Sequence, residues 1–344
     1  MAFPFSGQIQ LPHKLMNLID HSRLNHSQPF DPDTEVHTPR GKYTCVHYGM
    51  MFPNLSAPFN FLNFLIVVGQ PKIKLFKNTH LIKTSAINTA NVLVGTAVGT
   101  PDHFNGYSVQ HDCELISNGS SLRFANDLLI EGKYPLFHAK REGHDFNFDL
   151  KIEATDKVAN FVELVGGMYQ HWSLLCQYEG FLDYKGKKTK VQGLCTYEYA
   201  RGINVNLPMQ FFTYQIINID ENTQVLLVEV LGSLNSVIQK RVYLRSLDDY
   251  GDIYEEGFNL TVQEFEPNRL TTPNGLSMRL PQQFSWTVND NHGVPLITIE
   301  GRSNQDFQYG MAGGYAGSYQ YQGTFKGKAI EGTGYIEWLD IRES

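Results

Sequence analysis

The chain has 344 residues, a net charge of −7, 22 Phe, 18 Tyr, 3 Trp, 30 Gly and 15 Pro. That length buries a real core in one large or two ordinary domains, and the acidic balance excludes the broad basic footprint of a nucleic-acid binder. Abundant aromatics with frequent turn residues suit an all-β protein of short strands better than a helical one.

From the N-terminus, residues 11–24 read "LPHKLMNLIDHSRL" and place Leu15, Met16, Leu18, Ile19 and Leu24 at helical intervals behind a proline, which predicts one short helix. The opening lacks the basic and apolar regions of a secretory signal, so a cytoplasmic protein is expected. The most apolar stretch, "FNFLNFLIVVG" at 59–69, is too short to span a bilayer, and no stable membrane insertion is expected. Cys45, Cys113, Cys176 and Cys195 have no zinc-finger spacing. Cys176 and Cys195 could face each other across a hairpin, but free buried thiols are the expectation.

After a polar link, "NHSQPFDPDTEVHTPRG", the rest is short runs of β-branched and aromatic residues cut by Gly, Asn, Asp and Pro. "FNFDLKIEA" at 146–154 alternates with period two, placing Phe146, Phe148, Leu150 and Ile152 on one face. "FFTYQIINID" and "QVLLVEVLG" flank the turn residues "DENT", and "FSWTVNDNHGVPLITIEG" has the same design around "NDNHG". Both predict hairpins, and the pattern as a whole predicts barrels or sandwiches.

One pattern occurs twice. "YEGFLDYKGKKTKVQGLCTYEYARG" carries Gly180, Lys185-Gly186-Lys187, Gly193 and Glu198-Tyr199; "YQGTFKGKAIEGTGYIEWLDIRES" carries Gly323, Lys326-Gly327-Lys328, Gly332 and Glu337-Trp338. The second copy is two residues shorter on each side of Lys-Gly-Lys, which trims a hairpin while keeping side-chain direction, because that direction has period two. Two homologous β-domains are expected, breaking near Arg201–Pro208: an N-terminal helical segment over 1–30, a first domain over 31–205 and a second over 206–344.

A closing "G-x-G-Y-x-E-(aromatic)" strand after "Y-x-G-(x)-KGK", and "YQHWSLLCQYEGFLDYKGKKTKVQGLCTYEYARG" at the midpoint, resemble the lipocalin-like two-domain family that includes carotenoid 1,2-hydratase. "HYGMMFPNLSAPFNFLNFLIVVG" resembles a bacterial branch with that architecture. The resemblance covers about 80 residues and implies two tandem lipocalin-like antiparallel β-barrel or β-sandwich domains. It also implies hydratases acting on isoprenoid double bonds and cyclases of Diels–Alder type, alongside members without known activity; fold transfers better than function.

Hydration of an alkene needs a carboxylic acid kept protonated by apolar burial, a water and a dry pocket whose aromatic faces can stabilise a cation. The repeated Glu198-Tyr199 and Glu337-Trp338 could project a carboxyl into each barrel. Because both domains carry the pair, the favoured reading is a structural ion pair on the last strand, with the aromatic plugging the barrel end. His171-Trp172 lacks a counterpart in the second half; His171 would act as acid or base or orient a water, and Trp172 would wall the pocket, unless both are core residues. His111 and Asp112, on a predicted strand, must point to opposite faces; either could reach a pocket, with a surface role the alternative. His47 and Tyr48 precede the apolar stretch, Tyr48 as a pocket donor or a core tyrosine. No HxH, HExxH or Cys/His cluster is present, so no metal and no cofactor are expected, although strands could still bring histidines together. There is no GxSxG elbow and no phosphate loop.

The resulting expectation is an apolar small molecule, lipid- or isoprenoid-like, held inside one barrel or between the two. The protein would be a cofactor-free hydratase, isomerase or cyclase, or else a carrier. A buried Asp or Glu with raised pKa and no Arg or Lys neighbour would favour chemistry.

Overall fold

The structure is a computed structural model and describes residues 18–25, 27–70, 77–203, 209–290, 292–310 and 313–342. Most of the helix expected over 11–24 lies outside the described residues; Ser22–Asn25 form a single 3-10 turn. Among the described residues no helix is long and apolar enough to cross a membrane.

The rest is antiparallel β-structure in two large sheets. The first holds β1 (Cys45–Phe52), β2 (Leu62–Val68), β3 (Thr89–Thr96), β4 (Phe104–Ser108), β5 (Cys113–Leu115), β6 (Ser121–Phe124), β7 (Leu128–Lys133), β8 (Leu136–Glu142), β9 (Phe146–Glu163), β10 (Tyr169–Tyr184) and β11 (Lys187–Gly202). Its order is β4-β3-β2-β1-β11-β10-β9-β8-β7-β6-β5. The remainder is β12 (Met209–Asn218), β13 (Thr223–Gly232), β14 (Val237–Ser246), β15 (Asp252–Tyr254), β16 (Phe258–Phe265), β17 (Leu270–Thr271), β18 (Ser277–Met278), β19 (Pro281–Asn289), β20 (Pro295–Ser303), β21 (Gln308–Tyr309), β22 (Tyr315–Phe325) and β23 (Lys328–Asp340). The second sheet runs β15-β14-β13-β12-β23-β22-β20-β19-β16, with β21 on β22 and β17–β18 as a separate ribbon. Both sheets share one plan: a four-strand meander whose first strand pairs with the last strand of its half, itself the second arm of a long hairpin. This is the expected all-β architecture of two lipocalin-like curled sheets.

Each sheet wraps its own core. In the first, Trp172 packs on Phe30, Tyr197 and Tyr199 with ring centroids 4.9, 5.9 and 5.5 Å apart. In the second, Trp286, Trp338, Phe284 and Tyr319 are buried together with Ile297, Ile299 and Ile336. A third cluster lies between the sheets: Met51, Phe61, Leu65, Val67, Leu93 and Phe161 of the first half meet Tyr214, Ile216, Leu226, Val228, Tyr243 and Tyr335 of the second. Strands at this seam are therefore buried on both faces, and they read as nearly unbroken apolar runs such as "LNFLIVV" and "QVLLVEVLG". The first half of β9, with water on its outer side, keeps the strict alternation of "FNFDLKIEA".

The two Lys-Gly-Lys hairpins turn identically. Lys185 and Gly186 have φ of 52° and 81°, and Lys326 and Gly327 have 48° and 76°. Tyr184 pairs with Lys187 and Phe325 with Lys328, so two residues at positive φ close each hairpin, as the type I′ turn requires. Cys176 and Cys195 stand directly opposite each other, buried and free.

Candidate active site

Because the two hairpins differ by an even number of residues on each arm, the repeated Glu-aromatic falls on matching faces. Tyr199 and Trp338 point into the cores of their own sheets. Glu198 and Glu337 point the opposite way, into the seam. This corrects the expectation of a carboxyl projecting into each barrel. Of the expected ion pair, only Glu198 has a basic neighbour on its own hairpin, His171; among the described residues neither carboxyl is paired with a Lys or Arg. Glu198 accepts a hydrogen bond from the Tyr214 hydroxyl at 2.6 Å and lies 3.4 Å from His171 Nε2. Glu337 accepts one from the Tyr335 hydroxyl at 2.8 Å, and Asn63 of β2 donates to that hydroxyl at 2.7 Å.

The strand register assembles the first-sheet side. His47 on β1 and His171 on β10 both pair with Ala200 of β11, one from each side, while Gly49 and Ser173 flank Glu198 two residues away. All three functional side chains thus leave the same face, with only the small Ala200 between the imidazoles, whose centroids are 5.9 Å apart at 90°. Phe161 stacks edge-on against His171 at 4.8 Å and also touches Tyr214 and Tyr243 of the second sheet.

From the second sheet, Glu337 stands between Tyr214 on β12 and Ala316 on β22. Burial pushes its carboxyl up to about 8; the Tyr335 hydrogen bond opposes this and the nearby Glu198 adds to it. Burial, reinforced by His171, holds the His47 imidazole down to about 4, against the opposing pull of Glu198 and the Ile66 carbonyl. The Tyr214 phenol is raised by burial and then by Glu198. His47, Tyr169 and Glu337 are deep in the molecule, yet each keeps some accessible surface, and the His171 side chain beside them keeps 22 %.

The seam is locked by arginines of β14. Arg245 donates to the Ser173 carbonyl at 2.6 Å, the Leu174 carbonyl at 3.2 Å and Gln224 Oε1 at 2.9 Å. Arg241, on the same face, donates to Asp20, Ser22, Glu255 and the Phe161 carbonyl.

The remaining candidates fall elsewhere. His111 and Asp112 are exposed in the turn after β4, which corrects their expected place on a strand, and the Asp112 carboxylate accepts the Ser108 N–H at 2.7 Å. Tyr48 and Trp172 face the first core, where the Tyr48 hydroxyl donates to the His37 carbonyl at 2.8 Å. An open depression of about 690 Å³ on the second sheet, lined by Gln283, Glu300, Arg302, Gln320 and Glu331, contains none of the candidate residues. Sequence reasoning missed Tyr214, Tyr335, Asn63 and Arg245. Tyr335 had a signal, being two residues before Glu337 on one strand face. So did Asn63, an amide inside an apolar run.

The family model described as "Family of unknown function (DUF6670)" matches residues 65–344. The chain belongs to this family. No curated protein matches this DUF6670 member by sequence. Among solved structures it is similar to a protein assigned as AttH from Nitrosomonas europaea, at 11 % identity over 99 % of this chain and 100 % of that one, with a TM-score of 0.57. It is also similar to kievitone hydratase from Nectria haematococca, at 12 % identity over 92 % and 94 % of the two chains, with a TM-score of 0.55. At such identity the likeness is one of fold, and it extends to a protein named as a hydratase.

Proposed function

We propose that the seam between the two sheets binds an apolar small molecule bearing an alkene and adds water to it, with Glu337 as the acid. The observation that carries this reading is Glu337 itself: a carboxyl deep between the sheets with a tyrosine hydroxyl as its hydrogen-bond partner and, among the described residues, no Lys or Arg paired with it. Such a group stays protonated near neutral pH and can deliver its proton to an alkene carbon. The cation left on the neighbouring carbon would be faced by the rings of Phe161, Tyr214 and Tyr335. Water in the seam would then form the new C–O bond, and its surplus proton would return to the Glu337 carboxylate. The shared fold with a hydratase supports the reaction class, and the resemblance to carotenoid 1,2-hydratase favours an isoprenoid-like substrate. Two sheets of one plan, each closed by the same hairpin, support two duplicated domains over 31–205 and 206–344.

The test uses purified protein, a panel of prenylated aromatics and linear isoprenoids, and ¹⁸O-labelled water, with products read by mass spectrometry. The expected result is one labelled hydroxyl in product from the wild type and none from Glu337→Gln. A chain that co-purifies with a lipid in native mass spectrometry yet labels no member of the panel is a carrier, and the reaction would be withdrawn.

A further inference from the structure

We infer that His47, His171 and Glu198 form a binding site for one divalent transition-metal ion, of the zinc, cobalt or ferrous class. The inference goes beyond the reaction proposed above and rests on the donors alone, so it stands or falls without any alkene being hydrated.

One ligand atom from each of the three residues lies within 4.8 Å of the other two. His171 Nε2 and Glu198 Oε2 are 3.4 Å apart, about the ~3.4 Å that separates two donors held tetrahedrally at roughly 2.1 Å from one zinc ion. A donor atom of His47, within 4.8 Å of both, is the third corner of the triangle. The donors come from three adjacent strands on one sheet face, which fixes their backbones more firmly than loops would.

The groups behind the donors point the same way. His47 Nδ1 lies 3.0 Å from the Ile66 carbonyl, which can only accept. Nδ1 therefore carries the proton, which leaves the Nε2 lone pair for a metal; a metal-binding imidazole is characteristically held this way by its other nitrogen. Tyr214 donates to Glu198 Oε1, fixing the carboxylate while leaving Oε2 turned to His171. A glycine at position 49, directly across from Glu198, makes room for the His47 ring: a Cβ there would stand 3.0 Å from Nε2. The accessible surface kept by His47 and His171 leaves space for water to complete the coordination. Two imidazoles and one carboxylate select a borderline transition metal over magnesium or calcium, which prefer oxygen throughout. The competing account is a plain hydrogen bond between His171 and Glu198 with His47 as a bystander.

The experiment strips the full-length chain with chelator and titrates it with zinc and, separately, cobalt. It measures stoichiometry by elemental analysis after dialysis, affinity by competition with a chromophoric chelator, and the cobalt d–d spectrum. The expected result is one ion per chain with a spectrum of nitrogen and oxygen ligation. His47→Ala, His171→Ala and Glu198→Gln should each weaken binding by at least about 100-fold, and Tyr214→Phe by about 10- to 100-fold. His144→Ala, at an exposed histidine, should change nothing. Where a ligand variant does not fold, Gly49→Ala removes no donor and crowds His47; it should weaken zinc binding, and unchanged binding counts against the site. Substoichiometric zinc in the wild type, or stoichiometric zinc that survives all three ligand replacements, overturns the inference.

Discussion

Tyr214 of β12 and Glu198 of β11 meet hydroxyl to carboxyl at 2.6 Å across the seam, so a residue of one sheet satisfies a buried acceptor of the other. Tyr214→Phe deletes that donor while preserving the ring against Phe161. A hydrogen bond contributes about 1 kcal/mol net. Urea unfolding of the variant should show a loss of that order, and an unchanged midpoint would mean that the contact holds nothing.

Glu337 gives the protein a pH dependence of defined sign. Its carboxyl ionises near 4.5 in an unfolded chain and at about 8 when folded, so between those values the folded state keeps a proton that the unfolded state has lost. Stability should therefore fall as pH rises from 4.5 to 8 and level off above. Glu198 on β11, Tyr214 on β12 and Tyr335 on β23 are the titratable groups around it, and the two phenols stay protonated across that range. Glu337→Gln should remove this component of the slope and melt higher than wild type above pH 8. Any hydration activity should decline through the same pH.

Arg245 is buried with three carbonyl-type acceptors converging on it from β10 and β13. Arg245→Met leaves those oxygens without their donor, at a cost of at least about 2 kcal/mol. Loss should appear first at the seam, as faster hydrogen exchange of β10 and β12 amides than of the β19–β20 hairpin.

Lys185 and Lys326 occupy positive-φ positions that asparagine adopts more readily. Lys326→Asn should stabilise the second hairpin by about 0.5 kcal/mol. A destabilised variant would show that the lysine side chain does something the turn geometry does not require.

His111→Ala should shift stability by no more than about 0.5 kcal/mol and leave ligand binding and turnover unchanged, since its side chain lies in an exposed turn. A changed turnover would restore this turn to the site.

How far the sequence reveals this molecule depends on whether the deciding interactions are local. Period-two alternation and turn chemistry are local, and they are enough for the all-β class, for the "DENT" and "NDNHG" hairpins and for the matched Lys-Gly-Lys turns. Which face of a strand meets water is not local. Glu198 and Tyr199 must lie on opposite faces, but only the docking of a second sheet decides that the carboxylate side is the covered one. The same holds for the histidines: His47 and His171 are 124 positions apart and become neighbours solely because β1 and β10 flank β11. His103 and His111, close in sequence, end on different elements, His103 bound to the Thr100 and Tyr309 carbonyls. The hydrogen-bond chain behind Glu337 was equally invisible, because it runs through Tyr335 to Asn63 in the far half of the chain.

The position of both carboxylates on the shared boundary has a bearing on regulation. Glu337 owes its raised proton affinity to burial between the halves; separated, its own half would lose that burial. Proton affinity at Glu337 thus gauges how tightly the halves are clasped.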